Sequence, residues 1–301
     1  AAAQSGLRLS DGTEDREVRI GVVGSGFVGG STAKALGADG HEVTVYSLEP
    51  AYVGNREAVA ECDVVLLCVP TPSTPDGIDV SALRETMSLV GEGKIAVVKS
   101  TVVPGTCRRL QAENPAITVV HAPEFLTARN CEAEARRPVR NVVGHEPGSE
   151  RGRAAAAAVL GLLPRAERSY ICTWEEAELS KYGGNFFLHL KVLWANVLAE
   201  AAVRHGAEHA RVAEIMAGDP RIGGSHLAVD HEGGRGAGGY CFPKDVKAFI
   251  EHFRAVCPDE VSAQALLEAA ERYNCSLLNR SGKDQSALDA IYGQDRDRRE
   301  R

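Results

Sequence analysis

A single cysteine, Cys241, stands in a glycine-rich stretch whose composition suits nucleophilic chemistry. The stretch reads GGRGAGGYCFPKD over residues 233–245, and glycines at this density let a backbone take positive φ and approach a ligand closely. A helical pattern begins after Pro243, with Lys244 beside it. A helix N-terminus and a nearby lysine both lower the pKa of a thiol and favour the nucleophilic thiolate. Cys241 is therefore a candidate nucleophile; the alternative is a surface loop that holds a cysteine without chemistry.

A second pair of candidates lies on a long helix that the sequence predicts after Thr173. Residues 173–176 read TWEE, a capping box, and the helical pattern then continues without a break until Gly206 stops it. Gly183-Gly184 inside this helix cost about 1 kcal/mol each relative to alanine. Lys181 and Asn185 flank the glycines at i and i+4, on one helix face. We interpret the pair as facing a ligand, the alternative for Lys181 being a solvated lysine.

The N-terminal part of the chain contains a dinucleotide-binding fingerprint. Residues 18–23 read as a strand, and GSGFVG at 24–29 opens a helix. In this context the glycines allow a tight turn and bring a pyrophosphate to the helix N-terminus. An acidic residue is expected after the second strand, 42–46, to hold the adenosine ribose. The chain has Ser47 there and Glu49 two residues later, so we predict NAD and leave NADP open.

Strands alternate with helices as far as residue 172, a pattern that predicts a parallel sheet with right-handed crossovers. Ligands bind at the carboxyl ends of such strands, where Pro70-Thr71, Ser100-Thr101 and Pro123-Glu124 fall. From Thr173 onwards the pattern is helical. The predicted organisation is a disordered tail (1–17), a Rossmann-type α/β domain (18–173), a spine helix with an all-helical dimerisation and substrate domain (174–280), and a charged C-terminal tail (281–301).

Composition excludes several functional classes. The 301 residues are 44% hydrophobic and 25% charged, as in a globular protein large enough for two domains. A net charge of −7 argues against a nucleic-acid-binding surface, and the apolar runs are too short to span a bilayer. The eight cysteines include no CxxC and no zinc-like grouping, so we predict no metal. Without an export signal, they read as thiols of a cytoplasmic protein.

Seven motifs, in order between residues 18 and 280, resemble those of the UDP-glucose/GDP-mannose dehydrogenase family. They are GSGFVG (24–29), VPTP (69–72), KST (99–101), PEFL (123–126), KYGGN (181–185), DPRIG (219–223) and GGYCFPKD (238–245). The resemblance implies an enzyme that oxidises the primary alcohol of a nucleotide sugar to a carboxylate with two NAD molecules in succession.

The resemblance also implies roles for individual residues. Cys241 would trap the aldehyde as a thiohemiacetal, whose oxidation gives a thioester that water hydrolyses. The supporting residues would be Lys181 and Asn185 for the oxyanions, Asp245 for proton transfer through a water, Thr101 for positioning that water, and Glu124 as general base.

Cofactor and substrate contacts follow from the same resemblance. The implied cofactor-binding residues are Gly24, Gly26, Phe27, Val28, Gly29, Ser47, Val69, Pro70, Thr71, Thr101 and Lys244. The implied substrate-binding residues are Glu124, Phe125, Leu126, Lys181, Asn185, Arg221, Gly238 and Gly239. Arg221 matches an arginine that reaches the neighbouring subunit's substrate, so a homodimer through the helical domain is expected.

Departures from the family pattern leave three interpretations open. Ala128 stands where the family has a second glutamate, Ala237 replaces an aromatic residue, and the chain ends where a third domain of the family would begin. The first interpretation is an enzyme that makes a carboxylate from a sugar nucleotide, a nucleoside or a related sugar. The second is a two-electron NAD(P)-dependent dehydrogenase of the alcohol or 3-hydroxyacid type, which the loss of the second glutamate favours. The third is a non-catalytic cofactor-binding remnant.

Overall fold

The computed structural model describes residues 17–74, 77–239 and 241–293, and these divide into two compact units. The first, here called the sheet unit, comprises Ala1–Thr71 and Val80–Lys181, and the second, the helical unit, comprises Pro72–Asp79 and Tyr182–Arg301. Except for Glu17, the predicted N-terminal tail lies outside the described residues. The boundary between the units falls inside a helix, after Lys181.

The secondary structure elements are numbered in chain order. The strands are β1 (Ile20–Val23), β2 (Val43–Tyr46), β3 (Val64–Leu67), β4 (Ser73–Thr74), β5 (Gly77–Ile78), β6 (Ile95–Val98), β7 (Thr118–His121), β8 (Arg140–His145) and β9 (Arg168–Thr173). The α-helices are α1 (Phe27–Ala38), α2 (Arg56–Ala60), α3 (Ser81–Met87), α4 (Thr106–Glu113), α5 (Cys131–Arg136), α6 (Glu150–Leu162), α7 (Trp174–Arg204), α8 (His209–Ala217), α9 (Cys241–Val256), α10 (Val261–Ser281) and α11 (Gln285–Tyr292).

The sheet unit contains a seven-stranded sheet in the order β2-β1-β3-β6-β7-β8-β9. Its first five strands are parallel, so the predicted Rossmann-type fold is confirmed. The prediction of a parallel sheet is wrong at β8, which pairs antiparallel to β7 through His121 and Gly144. A parallel pairing needs a crossover, usually a helix. Here the connection carries only the short α5, and an ion pair between Lys34 and Glu132 joins α5 to α1.

The core of the sheet unit lies on both faces of the central strands. Consecutive residues of a strand point to opposite faces: Val65 and Leu67 belong to one cluster, Val64 and Leu66 to the other. Their main helical partners are Leu83 and Met87 of α3, Leu110 of α4, Leu36 of α1 and Val159 of α6. Each fully buried side chain of this kind contributes about 1.5–3 kcal/mol. This burial fixes the strand ends that carry the candidate site.

Helix α7 begins as predicted, with a reciprocal cap. The Thr173 N–H donates to the Glu176 carboxylate over 2.7 Å, and the Glu176 N–H lies 3.4 Å from Thr173 Oγ1. The indole of Trp174 donates to the Val119 carbonyl. By length and composition alone α7 could cross a membrane, a test that core helices of soluble proteins also pass. Its buried residues include Glu178 and Lys181, which suit a protein core rather than a lipid bilayer.

The helical unit extends past residue 281, where the sequence analysis placed the start of a solvated tail. That prediction is wrong for Gln285–Tyr292, which form α11. Leu288, Ile291 and Tyr292 recur at helical spacing and pack with Cys275 and Leu278 of α10. Burial of these side chains stabilises a helix that would be too short to form alone. Residues 294–301 lie outside the described part of the chain.

Candidate active site

The glycine turn after β1 has the shape that a dinucleotide pyrophosphate requires. Gly24 has φ of 100°, and a Cβ there would lie 2.3 Å from the Cys68 carbonyl oxygen. A Cβ on Gly29 would lie 2.0 Å from the Gly24 carbonyl oxygen. At Gly26, the N-cap of α1, no described atom other than those of its chain neighbours lies within 4 Å of the Cβ position. The turn is therefore closed on its inner side and open at the helix N-terminus, where Phe27 and Val28 begin α1 and a phosphate would bind.

The end of β2 lies beside this turn. The Gly24 N–H donates to the Tyr46 carbonyl over 2.8 Å. Ser47, the residue in place of the usual acid, has its Oγ 2.9 Å from Ser25 Oγ. The Ser25 hydroxyl also lies 2.6 Å from Glu49 Oε1. The structure thus brings a carboxylate to the turn from a position two residues later than expected.

The ends of β3 and β6 are joined by side-chain hydrogen bonds. The Val69 N–H donates to Ser100 Oγ over 3.1 Å, and that hydroxyl lies 2.7 Å from the Val69 carbonyl oxygen. The Thr71 hydroxyl donates to the Thr101 carbonyl over 2.7 Å. Pro70 between them is exposed. Four of the predicted cofactor residues, Val69, Pro70, Thr71 and Thr101, therefore lie together at the carboxyl edge of the sheet.

Glu124 and Lys181 form a buried ion pair within the sheet unit. Lys181 Nζ lies 3.0 Å from Glu124 Oε1, and the two side chains are 5% and 8% exposed. The second oxygen of Glu124 accepts the Leu126 N–H over 2.6 Å. Phe125, half-buried, has the Arg140 guanidinium 3.8 Å above its ring. The predicted base and the predicted oxyanion donor are thus in direct contact in a region shielded from water.

Two further buried polar side chains, Lys99 and His121, lie near the Glu124–Lys181 pair. The Lys99 ammonium donates to the Ala122 carbonyl over 3.1 Å, and burial lowers its pKa. His121 has its Nδ1 2.9 Å from the Val98 carbonyl oxygen. Burial lowers the pKa of His121 to about 3, so its imidazole is neutral at physiological pH. Lys99 and His121 thus add two polar side chains near the Glu124–Lys181 pair, and neither of them is a carboxylate.

A carboxylate lies close to Ala128, the residue that stands where the family pattern has a second glutamate. Glu134 of α5 accepts the hydroxyl of Thr127 over 2.8 Å and its N–H over 2.5 Å. Nothing in the sequence pattern pointed to Glu134, because it lies six positions after Ala128, where the family usually has its glutamate.

The helical unit holds the second group of predicted residues. Cys241 lies, half-buried, in the first turn of α9. The Asp245 carboxylate, 2% exposed, accepts the Asn185 side-chain amide over 2.6 Å and the Lys244 ammonium over 2.5 Å. The Ser73 hydroxyl of β4 donates to the Lys244 carbonyl. The helix therefore starts earlier than predicted, with the thiol at its first residue and the held carboxylate four residues later.

Arg221 stands apart from both groups. Its side chain is 88% exposed, and the guanidinium makes a bidentate contact with Asp219, its Nη2 lying 2.6 Å from Oδ2. Of the predicted site residues that the structure describes, it hydrogen-bonds to none. Gly183, between Lys181 and Asn185, is exposed, and apart from its chain neighbours and the backbone of α7 itself no described atom lies within 4 Å of its Cβ position. No cluster of three metal-binding side chains occurs in the described residues.

The glycine loop before Cys241 is held by residues that the sequence analysis did not identify. Asn274 of α10 accepts the Ala237 N–H over 2.8 Å and donates to the Ala237 carbonyl over 2.9 Å. Asp284 accepts the Gly239 N–H over 2.7 Å. A Cβ on Gly238 would lie 1.9 Å from the Asp284 carboxylate. Gly238 and Gly239, predicted to bind substrate, therefore face this clamp with their backbone.

Lys283 completes the clamp from the same turn. It is buried, and its ammonium donates to the His231 carbonyl over 2.7 Å and reaches the Gly236 carbonyl at 3.4 Å. Ala237, which replaces the family's aromatic residue, is 2% exposed. The available signal was Asn274, a polar residue among the apolar positions of α10, and such a buried amide must find a partner.

We predict that Asn274→Ala destabilises the loop that leads to Cys241. The change leaves the buried N–H and carbonyl of Ala237 without their partners, which costs about 2 kcal/mol. Denaturant unfolding should report this loss, and amide hydrogen exchange should increase at residues 235–239. Arg272→Ala, an exposed change on the same helix, is the control. Unchanged exchange in the loop of the Asn274 variant would contradict the clamp.

Comparisons with known proteins agree with this geometry. The NAD binding domain of the UDP-glucose/GDP-mannose dehydrogenase family matches residues 52–159, and the central domain of the family matches residues 175–276. The chain is 30% identical over 289 residues to the UDP-glucose 6-dehydrogenase AglM of Haloferax volcanii, covering 79% of this chain and 66% of that protein. It is 36% identical over 209 residues to the UDP-glucose 6-dehydrogenase of Rhizobium meliloti, covering 65% of this chain and 47% of that protein.

The chain is also similar to solved structures. The UDP-glucose dehydrogenase of Pyrobaculum islandicum superposes with a TM-score of 0.74 at 29% identity, covering 92% of this chain and 73% of that one. The chain spans half or less of the length of five curated relatives. The match to the NAD binding domain includes β3 and β6, whose ends carry part of the candidate cofactor site. The chain therefore belongs to the UDP-glucose/GDP-mannose dehydrogenase family, whose cofactor is NAD.

Proposed function

We propose that this protein oxidises the primary alcohol of a sugar nucleotide to a carboxylate through a thioester on Cys241. The observation that carries the proposal is the start of α9, where the thiol stands one turn before a buried carboxylate, Asp245, that is held by Asn185 and Lys244. A solvated loop with a cysteine has no need for such an arrangement. The relatives named as UDP-glucose 6-dehydrogenases support the substrate class.

The first part of the reaction converts the alcohol into an aldehyde. Bound NAD supplies the hydride acceptor for each of the two oxidations. Asp245 takes up the hydroxyl proton through a water that Thr101 positions. The Cys241 thiolate then adds to the aldehyde carbon, and the oxygen of the thiohemiacetal receives hydrogen bonds from Lys181 and Asn185.

The second part releases the acid. Loss of a second hydride turns the thiohemiacetal into a thioester, which retains the carbon–sulfur bond. Glu124 removes a proton from water as the water attacks the thioester, and the bond to Cys241 breaks with release of the carboxylate. The Lys181 ammonium, 3.0 Å from Glu124, is a suitable donor to the oxyanion of this step.

Glu134 supports the complete oxidation over the two-electron alternative. Its carboxylate lies against Thr127, next to Ala128. The chain therefore has a carboxylate close to position 128, although Ala128 itself replaces the second glutamate of the family pattern. Ala128 still favours the two-electron alternative, and the number of NADH molecules formed per substrate distinguishes the two reactions.

We predict that oxidation of UDP-glucose by this protein yields two NADH per carboxylate formed. Cys241→Ser should lower carboxylate formation by about a thousandfold or more, because a hydroxyl is a much weaker nucleophile than a thiolate. Product and NADH are counted together, and Cys172→Ser on β9 is the matched control.

Three results would contradict this prediction. One NADH per substrate, with release of an aldehyde or ketone, would favour the two-electron dehydrogenase. Carboxylate formation by Cys241→Ser at the native rate would exclude the thioester. No turnover of UDP-glucose, GDP-mannose or UDP-N-acetylmannosamine would favour a cofactor-binding remnant.

We also propose that the protein is a homodimer through its helical unit. Phe187 and Trp194, seven residues apart on one face of α7, are 67% and 53% exposed, and Val197, three residues after Trp194 and 43% exposed, continues the apolar surface. Large exposed apolar side chains in a row are typical of an interface. Arg221, held outward by Asp219, is suited to reach a neighbouring subunit. A cytoplasmic location also remains a proposal, based on the eight thiols.

Analytical ultracentrifugation tests the dimer. We expect twice the 32.0 kDa chain mass at micromolar concentration. Trp194→Glu should give monomers, because a buried unpaired charge is costly in an interface. Val261→Glu, at an exposed position of α10, should leave the dimer intact. A monomeric wild-type protein, or dimers that persist in Trp194→Glu, would contradict the proposed interface.

A further inference from the structure

We propose that the Glu49 carboxylate holds the adenosine ribose and makes the protein select NAD over NADP. The residue that usually does so directly follows the second strand of a Rossmann sheet, and that position is Ser47 here. The inference rests on the family's cofactor and not on the oxidation of any particular substrate.

The backbone brings Glu49 to the glycine turn. β1 and β2 are parallel neighbours whose last residues, Val23 and Tyr46, are partners in register. Because the Gly24 N–H donates to the Tyr46 carbonyl, the segment after β2 starts directly beside the turn that receives the pyrophosphate. A side chain there can reach the adenosine half of a dinucleotide that is bound at the turn.

Hydrogen bonds then direct the carboxylate back towards the turn. The Glu49 N–H lies 3.2 Å from Ser47 Oγ, and Ser47 Oγ lies 2.9 Å from Ser25 Oγ. Ser25 Oγ is 2.6 Å from Glu49 Oε1. The two serines therefore position Glu49 rather than replace it. In the described part of the chain, the second carboxylate oxygen, Oε2, has no hydrogen-bond partner and can accept a ribose hydroxyl.

Charge gives this arrangement its selectivity. A carboxylate accepts hydrogen bonds from the ribose hydroxyls of NAD, and such charge-assisted bonds are stronger than those of a neutral serine. NADP carries a 2′-phosphate at this position, and two like charges at contact distance repel each other. Arg56 lies 3.5 Å from the Tyr46 hydroxyl. Its positive charge would favour NADP if Arg56, rather than Glu49, contacted the 2′-phosphate.

The test measures binding without substrate, by titration calorimetry of the full chain with NAD and with NADP. The wild-type protein should bind NAD at least about tenfold more tightly, the value of one charge-assisted hydrogen bond. Glu49→Gln should weaken NAD binding by about tenfold and strengthen NADP binding, so that the preference is lost. Glu42→Gln, which removes an exposed carboxylate before β2, is the matched control and should leave both affinities unchanged.

Several outcomes would overturn the inference. These are equal or tighter binding of NADP by the wild-type protein, an unchanged preference in Glu49→Gln, and failure of the wild-type protein to bind NAD. A change of preference in Arg56→Ala but not in Glu49→Gln would assign the selectivity to the arginine instead. Selective NAD binding without oxidation of any sugar nucleotide would count against the proposed function alone. Oxidation with equal affinities for both dinucleotides would count against Glu49 alone.

Discussion

The buried charges of α7 are the constraint on which the candidate site depends. Lys181 pairs with Glu124 at 3.0 Å inside the sheet unit. One turn earlier, Glu178 accepts the N–H groups of Gly105 and Cys107 over 2.7 and 2.9 Å. A charge removed from water must be paired and hydrogen-bonded. Within the sheet unit, these contacts fix the rotation of α7 as far as Lys181 relative to the loops after β6 and β7.

Stability alone does not explain such a buried pair. An apolar pair of similar volume often stabilises a core as well or better, whereas loss of one partner is costly. Burial raises the pKa of Glu178 to about 7, and its two backbone donors oppose that shift. We therefore attribute the Lys181–Glu124 pair to chemistry, since an ammonium and a carboxylate in a shielded position can bind an oxyanion and take up a proton. In the helical unit, Asn185 and Asp245 form a second polar contact of this kind.

Local signals in the sequence predicted those features that local interactions determine. The spacing of Gly24, Gly26 and Gly29 predicted a turn that the positive φ and the close carbonyl contacts explain. The Thr173–Glu176 capping box predicted the start of α7. The antiparallel direction of β8 was not predictable, because it depends on where a short connection packs. The clamp formed by Asn274, Lys283 and Asp284 was missed because its partners lie up to 52 residues apart. The roles of the site residues remain predictions.

The covalent intermediate on Cys241 is the central claim, and it can be tested by trapping with hydroxylamine during oxidation of UDP-glucose. Hydroxylamine attacks a thioester in place of water and gives a hydroxamate, whereas it converts a released aldehyde into an oxime. The account predicts a hydroxamate of the product acid that accompanies two NADH and is absent with Cys241→Ser. Carboxylate formed with two NADH but without any hydroxamate would contradict it.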